Sequence, residues 1–598
     1  MKSSGTRLIW TAMAAFTVVV AATASAVTAS AVATRVIPVS SIAELQSAAN
    51  QAQPGDRIEL ADGVYTTTGA IRLTRSGTPS APITIAAANV GRAEIRGSAG
   101  FALQAIDRVV LSGFRLTHQG GLSIPDGADH VRFTRNVVRL PGTVGNWLTV
   151  VGNDAQVDHN DFRYKSTQGV FLQVTGPGER EMAKRTWVHH NYFADHTFTG
   201  SNGGESIRLG YSSRQLSSAY AVIENNLFER ADGDSEAISV KSSDNTVRHN
   251  TLRDSRGSIV LRHGNRNRVD GNLMLGGSSG MRFYDNDHVL VNNVIQGGNG
   301  QIIAGSGTVA DDTSWSTAHA RPDRVLVAFN TVVGNRTALL QVGQGTDRLG
   351  PNECTFANNI FVGGGSGALL DIDEGTNLRW EGNLVWAGSG GNAPSSGYRV
   401  TDPRLVTDAG GLRRLSATSP AIDAAVGAYP QVDRDLDLQP RSGAKDVGAD
   451  EYAATGTERR PLIPADVGPY VPSTATTWYE AEHAICQGTV DSNHYGFSGT
   501  GFCNTTNAAG AYVEWTVQVA TAGTYPLRFR YANGGTVERP MVIAVDGESR
   551  VTLPFAATGA WSSWQTATIE LALAAGTHAI RATATTATGG PNLDYLRL

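Results

Sequence analysis

An asparagine recurs along the middle of this chain, each time behind a short run of alternating apolar residues and ahead of another apolar pair. TWVHHNYF, AVIENNLF, NTVRHNTL and NRVDGNLM are instances, and the aligned residues are Asn136, Asn160, Asn191, Asn226, Asn250, Asn272, Asn293, Asn330, Asn359 and Asn383. Where nothing is inserted they stand 21 to 24 residues apart. A fixed period of that size marks a stack of like units, each burying its apolar face on its neighbours. Leucine-rich repeats share the period but need leucines at set positions and a helical return, and neither is present. The segments here alternate with period two, are rich in Val, Ile and Phe, and are separated by Gly, Asn and Ser. That pattern predicts short strands joined by turns. The expected fold class is all-β: a right-handed parallel β-helix in which the asparagines form a ladder at one repeated turn, where asparagine tolerates the left-handed conformation. Longer gaps, such as those before Asn191, Asn226 and Asn330, read as loops that wall a groove.

The ends of such a stack need covers, because an open edge strand invites pairing with other chains. Ser41-Ile42-Ala43-Glu44 forms a capping box ahead of Leu45, Ala48 and Ala49, which predicts an N-terminal capping helix. SPAIDAAVGA and KDVGADEY predict a final turn-rich wrap, so the β-helix is expected over 34–455. The run 456–477, rich in proline and charge, reads as a linker. After it YVEWTVQV, YPLRFRYA, MVIAVDG and HAIRATAT predict a C-terminal β-sandwich (jelly roll) over 478–598. At the other terminus, Lys2 and Arg7 precede an apolar run from Leu8 to about Ala22 and small-residue cleavage patterns. Residues 1–33 are therefore expected to be a secretory signal peptide, and the protein to be extracellular. No later stretch approaches the ~18 apolar residues of a membrane span. In an oxidising compartment Cys486 and Cys503 are expected to pair, leaving Cys354 as a small buried hydrophobe.

The formal charge is −5, which argues against a broad nucleic-acid surface. Yet between Lys241 and Arg282 eight Lys and Arg stand against three Asp, a local excess of five positive charges that reads as a basic groove for an anionic ligand. Stacking the coils aligns Ile207-Arg208-Leu209-Gly210, Ile238-Ser239-Val240-Lys241, Ile259-Val260-Leu261-Arg262 and Met281-Arg282-Phe283-Tyr284. First and third residues would point inward and second and fourth outward. Lys241, Arg262 and Tyr284 are then expected in one outward column, with Arg208 and Arg282 in the next. Asn202, Glu205, Asp234 and Glu236 lie close by, in turns of two successive coils, and hard oxygen donors of that kind suit Ca²⁺.

GESIRLG, SEAISVKSS and GSIVLRHGNRNRVDGN resemble the core motifs of polysaccharide lyase family 6, the β-helical alginate lyases and chondroitinase B-type enzymes. The resemblance covers the whole expected β-helix. It implies Lys241 as the base at C5 of a uronic acid and Arg262 as the acid or stabiliser at the leaving O4. It further implies Asn202, Asp234 and Glu236 as Ca²⁺ ligands, with Glu205, Arg208, His263, Arg282 and Tyr284 lining the substrate. Asp234 stands where a glutamate is usual in the family. The sandwich resembles carbohydrate-binding modules of the family 6 and 35 type, through YEAE, YGFSGTGF, RYANG, TGAWSSW and PNLDYL. That implies a Ca²⁺ site at Glu480, Glu482 and Asp594 and a sugar site at Trp561 and Asn592, with Trp561 equally suited to a core. The expectation is a secreted, monomeric or dimeric lyase of an anionic polysaccharide, alginate first and dermatan sulfate as the alternative. A glycoside hydrolase using Asp234 and Glu236 and a non-catalytic polysaccharide-binding β-helix are its rivals.

Overall fold

The computed structural model describes residues 35–598 apart from 141, 312–316, 346–348, 442, 455–457, 473–477, 495 and 520. The expected signal peptide, 1–33, lies outside the described residues. The period-two segments form short strands, each paired in parallel with its equivalent one coil on. Among the described residues they build three long sheets, the faces of a parallel β-helix. One has fourteen strands, from Val36–Val39 to Arg379–Glu381; a second has ten, from Leu122–Ile124 to Leu370–Ile372; a third has fourteen, from Gly63–Thr67 to Tyr398–Val400. One continuous apolar core runs through them, and Phe162, Phe193 and Phe228 stack inside it with ring centroids 5.1 Å apart at each step.

All ten recurring asparagines are buried in one ladder. From Asn136 to Asn383 each Nδ2 donates to the Oδ1 of the next at 3.0–3.1 Å. The same Oδ1 accepts the backbone N–H of the asparagine before it, as from Asn250 to Asn272 at 3.0 Å. Every rung thereby satisfies amide groups that would cost about 1–3 kcal/mol each if buried alone. The left-handed conformation falls on the residue before each asparagine: His159 (φ 52°), His249 (φ 56°) and Asn292 (φ 57°) are examples. The asparagine itself stays in an ordinary conformation because its side chain points along the stack, and its predecessor absorbs the corner.

The capping helix forms over Ile42–Gln51, with the Ser41 Oγ accepting Glu44 N–H at 3.2 Å. The Glu44 carboxylate reaches back one residue further than a standard box, to Ser40 N–H at 2.7 Å. A strand, Val36–Val39, precedes the helix and joins the first sheet.

Beyond Val400 the chain does not close the far end as a last wrap; it turns back along the outside of the third sheet. Leu415, Ala421 and Val447 pack on Ile360 and Leu384, Leu412, Leu436 and Ala449 pack on Leu273 and Val294, and Val467 packs on Tyr192 and Leu227. The apolar side chains of SPAIDAAVGA and KDVGADEY find outward-facing apolar residues on the sheets, which a closing wrap would have left exposed. The expected linker continues this strap. Arg135 Nη1 donates to the carbonyls of Pro469 and Val471 at 3.0 and 2.7 Å, Arg253 Nη2 to that of Leu462 at 3.2 Å, and Arg459 Nη1 to that of Gly271 at 3.2 Å. Between 458 and 472 the chain is thus bonded to the solenoid.

The C-terminal unit is a sandwich of two antiparallel sheets, of six and five strands, around Trp515, Phe529 and Phe555. Cys486 and Cys503 are joined in a disulfide with Cα atoms 5.8 Å apart, and Cys354 is free and buried. Arg248 of the first sheet donates to the carbonyls of Phe497 and Gly499 of the sandwich at 2.7 and 3.3 Å, and Trp187 stacks on His483 at 5.5 Å. A crevice of about 2470 Å³ lies between the two units.

Candidate active site

Four strands of the ten-stranded sheet carry Arg208, Glu236 with Lys241, Arg262 with His263, and Arg282. Arg208 pairs with Ser239, Ser239 with Val260, and Val260 with Arg282, so the two arginines share a column as expected. Ser239 and Val260, expected to point into solvent between them, are buried.

The second column is corrected. Val240 pairs with Leu261, but Lys241 pairs with His263 across a register shift. Arg262 is the extra residue of a bulge, and a bulge re-aims the side chains at the end of its strand. Arg262 Nη1 accordingly turns to Glu236 Oε1 at 2.7 Å, and Arg282 Nη2 reaches the same oxygen at 2.8 Å. Glu236 opens the strand Glu236–Lys241 rather than lying in the turn before it. Asp234 does lie in that turn, where its Oδ2 accepts the N–H of Gly203 at 3.0 Å; Asn202 is exposed on the neighbouring turn. Glu205 is 1% exposed, accepts Arg208 Nε at 2.8 Å, and stands 3.9 Å from Lys241 Nζ. Expected at the substrate, it instead fixes the arginine and the lysine from below.

Burial and the neighbouring Arg208 and Arg262 guanidiniums push the Lys241 ammonium below the ordinary lysine range, against the opposite pull of Glu205 and Glu236. Only 11% of the Lys241 side chain is exposed. Burial raises the Glu236 carboxyl, but Arg262, Arg282 and Lys241 outweigh it and hold the group below its usual value. Burial would lower Arg262, and Glu236 keeps it above the normal guanidinium range. His263 is pushed down to about 2 by burial, by His319 and by Arg262. It is neutral at ordinary pH, 1% exposed, and stacked on His319 with centroids 4.4 Å apart. Tyr284 stacks on the other side of the trio, 4.3 Å from His319. His319 was invisible in the repeat, because it sits in the insertion before Asn330.

The long basic run does not form one surface. Lys241, Arg262 and Arg282 share the groove face, while Arg248 pairs with Glu224 at 2.6 Å, Arg266 with Asp244 at 2.7 Å and Arg268 with Asp270 at 2.7 Å on another face. Each coil passes through three sheets, so neighbours in sequence are dealt to different sides.

Two donor sets suit a hard cation. At the groove, Asn202, Asp234 and Glu236 supply oxygens, and Glu236 Oε2 is buried without a hydrogen-bond partner. In the sandwich, Glu480 and Asp594 are buried and Glu482 is half-buried. Burial and mutual repulsion hold the first two carboxyls well above their usual range, and Glu482 Oε2 lacks a partner. Unpaired carboxylate oxygens in such enclosures fit Ca²⁺ chemistry. Among the described residues, Asp435, Asp437 and Asp450 bring oxygens within 4.8 Å of one another. Arg414 Nη1 already bridges Asp437 and Asp450, at 2.6 and 3.1 Å. On the sandwich, Trp561 is half-buried with the Arg539 guanidinium 5.0 Å over its ring. Asn592, expected to face a sugar, is 3% exposed within the strand Asn592–Arg597.

The family model for chondroitinase B matches residues 39–362, and that for carbohydrate binding module family 6 matches residues 480–598. Among solved structures, the PL6 family alginate lyase AlyGC aligns with a TM-score of 0.57 at 24% identity, covering 67% of this chain and 60% of that one. A mannuronic acid specific family 6 lyase from human gut microbiota aligns at 0.54 and 24% identity, over 62% of this chain and 91% of that one. At this identity the likeness carries the fold. Among curated proteins, exo-β-D-glucosaminidase of Amycolatopsis orientalis is 49% identical over 145 residues, 24% of this chain and 14% of that protein. Endo-1,4-β-xylanase B of Cellvibrio japonicus is 46% identical over 121 residues, 20% of each. The chain thus spans a fifth or less of these relatives.

Proposed function

The chain belongs to the chondroitinase B family of polysaccharide lyases and carries a family 6 carbohydrate binding module, and from that premise we propose that it is an exported lyase cleaving alginate by β-elimination. The observation that carries the reading is Lys241, an enclosed lysine pushed toward its neutral form at the rim of a strongly cationic groove. A neutral lysine can take a proton, and three guanidiniums around it can hold the carboxylates of a polyuronate.

In this reading Lys241 Nζ takes the C5 proton of the uronate. The freed electron pair forms the C4–C5 double bond, the C4–O4 bond breaks, and O4 leaves with a proton. Arg262, whose guanidinium is raised above its ordinary range, is a poor literal acid; it stabilises the charge growing on O4, and water supplies the proton. Arg208 and Arg282, at the two ends of their column, bind carboxylates of neighbouring sugars, and Glu205 and Glu236 hold the cations in place. Asn202, Asp234 and Glu236 are the residues that would hold Ca²⁺, which when bound neutralises the uronate carboxylate and so acidifies C5–H. In the sandwich Glu480, Glu482 and Asp594 would hold a structural Ca²⁺, and Trp561 would stack on a sugar.

Glycoside hydrolysis needs one carboxyl of a pair protonated, and two arginines on Glu236 Oε1 oppose that. A sulfated uronate polymer such as dermatan sulfate is the second reading, favoured by the excess of cations over carboxylates in the groove. Digestion of alginate, dermatan sulfate and polygalacturonate, followed by the ultraviolet absorbance of unsaturated uronate, tests the function. Unsaturated product from alginate is expected; products without that absorbance from every polymer would overturn the lyase reading.

A further inference from the structure

We propose that His319 is a positioning residue for this reaction, setting both Arg262 and Tyr284 from the insertion that precedes Asn330. The inference rests on the lyase reading. The insertion leaves the strand Ile302–Gly305 and returns at Leu326–Ala328. Its backbone is held on both sides of His319: the His319 carbonyl accepts Thr308 N–H at 2.9 Å, and Ala320 N–H donates to Asp285 Oδ1 at 3.0 Å. The imidazole therefore reaches the groove from a fixed base.

Once there it makes two kinds of contact. His319 Nδ1 lies 3.0 Å from the Arg262 carbonyl. A carbonyl only accepts, so Nδ1 carries the proton and donates. That bond falls on the bulged residue itself, which has lost its regular place in the ladder. The ring faces are occupied as well, by His263 at 4.4 Å with 2° between planes and by Tyr284 at 4.3 Å. Tyr284 is pressed from another direction by Gly305, where a Cβ would come within 2.2 Å of its ring. Gly305 has no positive φ to explain it; the space that the tyrosine ring fills does. Tyr284 is thus held between a glycine of the next coil and an imidazole of the insertion. Its place depends on two residues that are not neighbours in sequence.

The two contacts separate in kinetics. In His319→Phe a ring remains for Tyr284 and the donor to Arg262 is lost, so kcat is expected to fall about tenfold with KM unchanged. In Gly305→Ala the donor remains and Tyr284 is displaced, so KM is expected to rise about tenfold with kcat nearly unchanged. His319→Ala loses both, and a misplaced reacting group costs up to about 100-fold in kcat/KM. Calorimetry of oligouronate binding, run on the same folded full-length variants, gives a readout apart from turnover: Gly305→Ala and His319→Ala bind more weakly, and His319→Phe binds as the parent does. If all three variants bind and cleave within about twofold of the parent, the positioning role is wrong while the lyase reading stands. If the parent binds oligouronate and forms no unsaturated product, the lyase reading fails. Weakened binding in Gly305→Ala and His319→Ala would then still uphold the role of His319 in placing Tyr284.

Discussion

Two enclosed carboxylate clusters, one in the groove and one in the sandwich, are built with opposite charge. In the groove Glu205 and Glu236 face Arg208, Lys241, Arg262 and Arg282. In the sandwich Glu480, Glu482 and Asp594 meet Arg530, which pairs with Asp594. The consequence is visible in the protons: Glu236 is held below the usual carboxyl range and Glu480 well above it. Burial acts alike on both, so the local excess of cation or carboxylate decides which form is favoured. The first cluster thus has cations in excess and the second carboxylates in excess.

The comparison breaks most sharply at Lys241. Lys241→Ala is expected to lower formation of unsaturated product by about 10³-fold, within the range of general-base removal, while polyuronate retention on an affinity gel stays. Loss of retention with turnover intact would reverse the assignment. Removing Ca²⁺ with a chelator should lower the sandwich melting transition by the equivalent of about 2–3 kcal/mol at ~100-fold saturation, with recovery on adding the ion back. Transitions that coincide with and without chelator would make the three carboxylates a metal-free cluster. Glu236→Gln leaves Arg262 and Arg282, each about a third exposed, without their shared anion, and loss of such a partly solvated pair costs about 1 kcal/mol. A lowered melting temperature of the solenoid is expected, and an unchanged one would mean that the arginines do not need the carboxylate. The smallest effect is a shift of pH profile. Glu205 raises the Lys241 pKa, so Glu205→Gln should free the base at lower pH and move the rising limb of the pH–rate curve downward; an upward move would contradict the placement.

Much of this was legible in the chain. The ladder asparagines announce themselves because each coil must bury one in the same place, and the disulfide because its cysteines lie 17 residues apart in one module. The bulge at Arg262 was not legible. It adds one residue to a strand without changing the apolar alternation up to Leu261, so only pairing across the coil reveals that Lys241 meets His263. His319 escaped for the opposite reason: it belongs to no repeat, and its ring finds Tyr284 through the fold of an insertion. The strap was concealed by prolines and charges that look solvated in sequence but bond to solenoid carbonyls and arginines. Asn592 was offered to a sugar by resemblance alone, and strand pairing on both sides with Asn504 and Ala532 encloses it.

The strap decides how freely the sandwich can move against the coils. A pendant module would sweep a volume set by tether length. Here the bonds from Arg135, Arg253 and Arg459 hold the returning chain along the coils, and Arg248 grips the sandwich. On the proposed reading the sandwich and the groove then share one footprint, so a polysaccharide held by one would meet the other at a set offset, and a fresh stretch would be reached only when the whole body lets go and lands again.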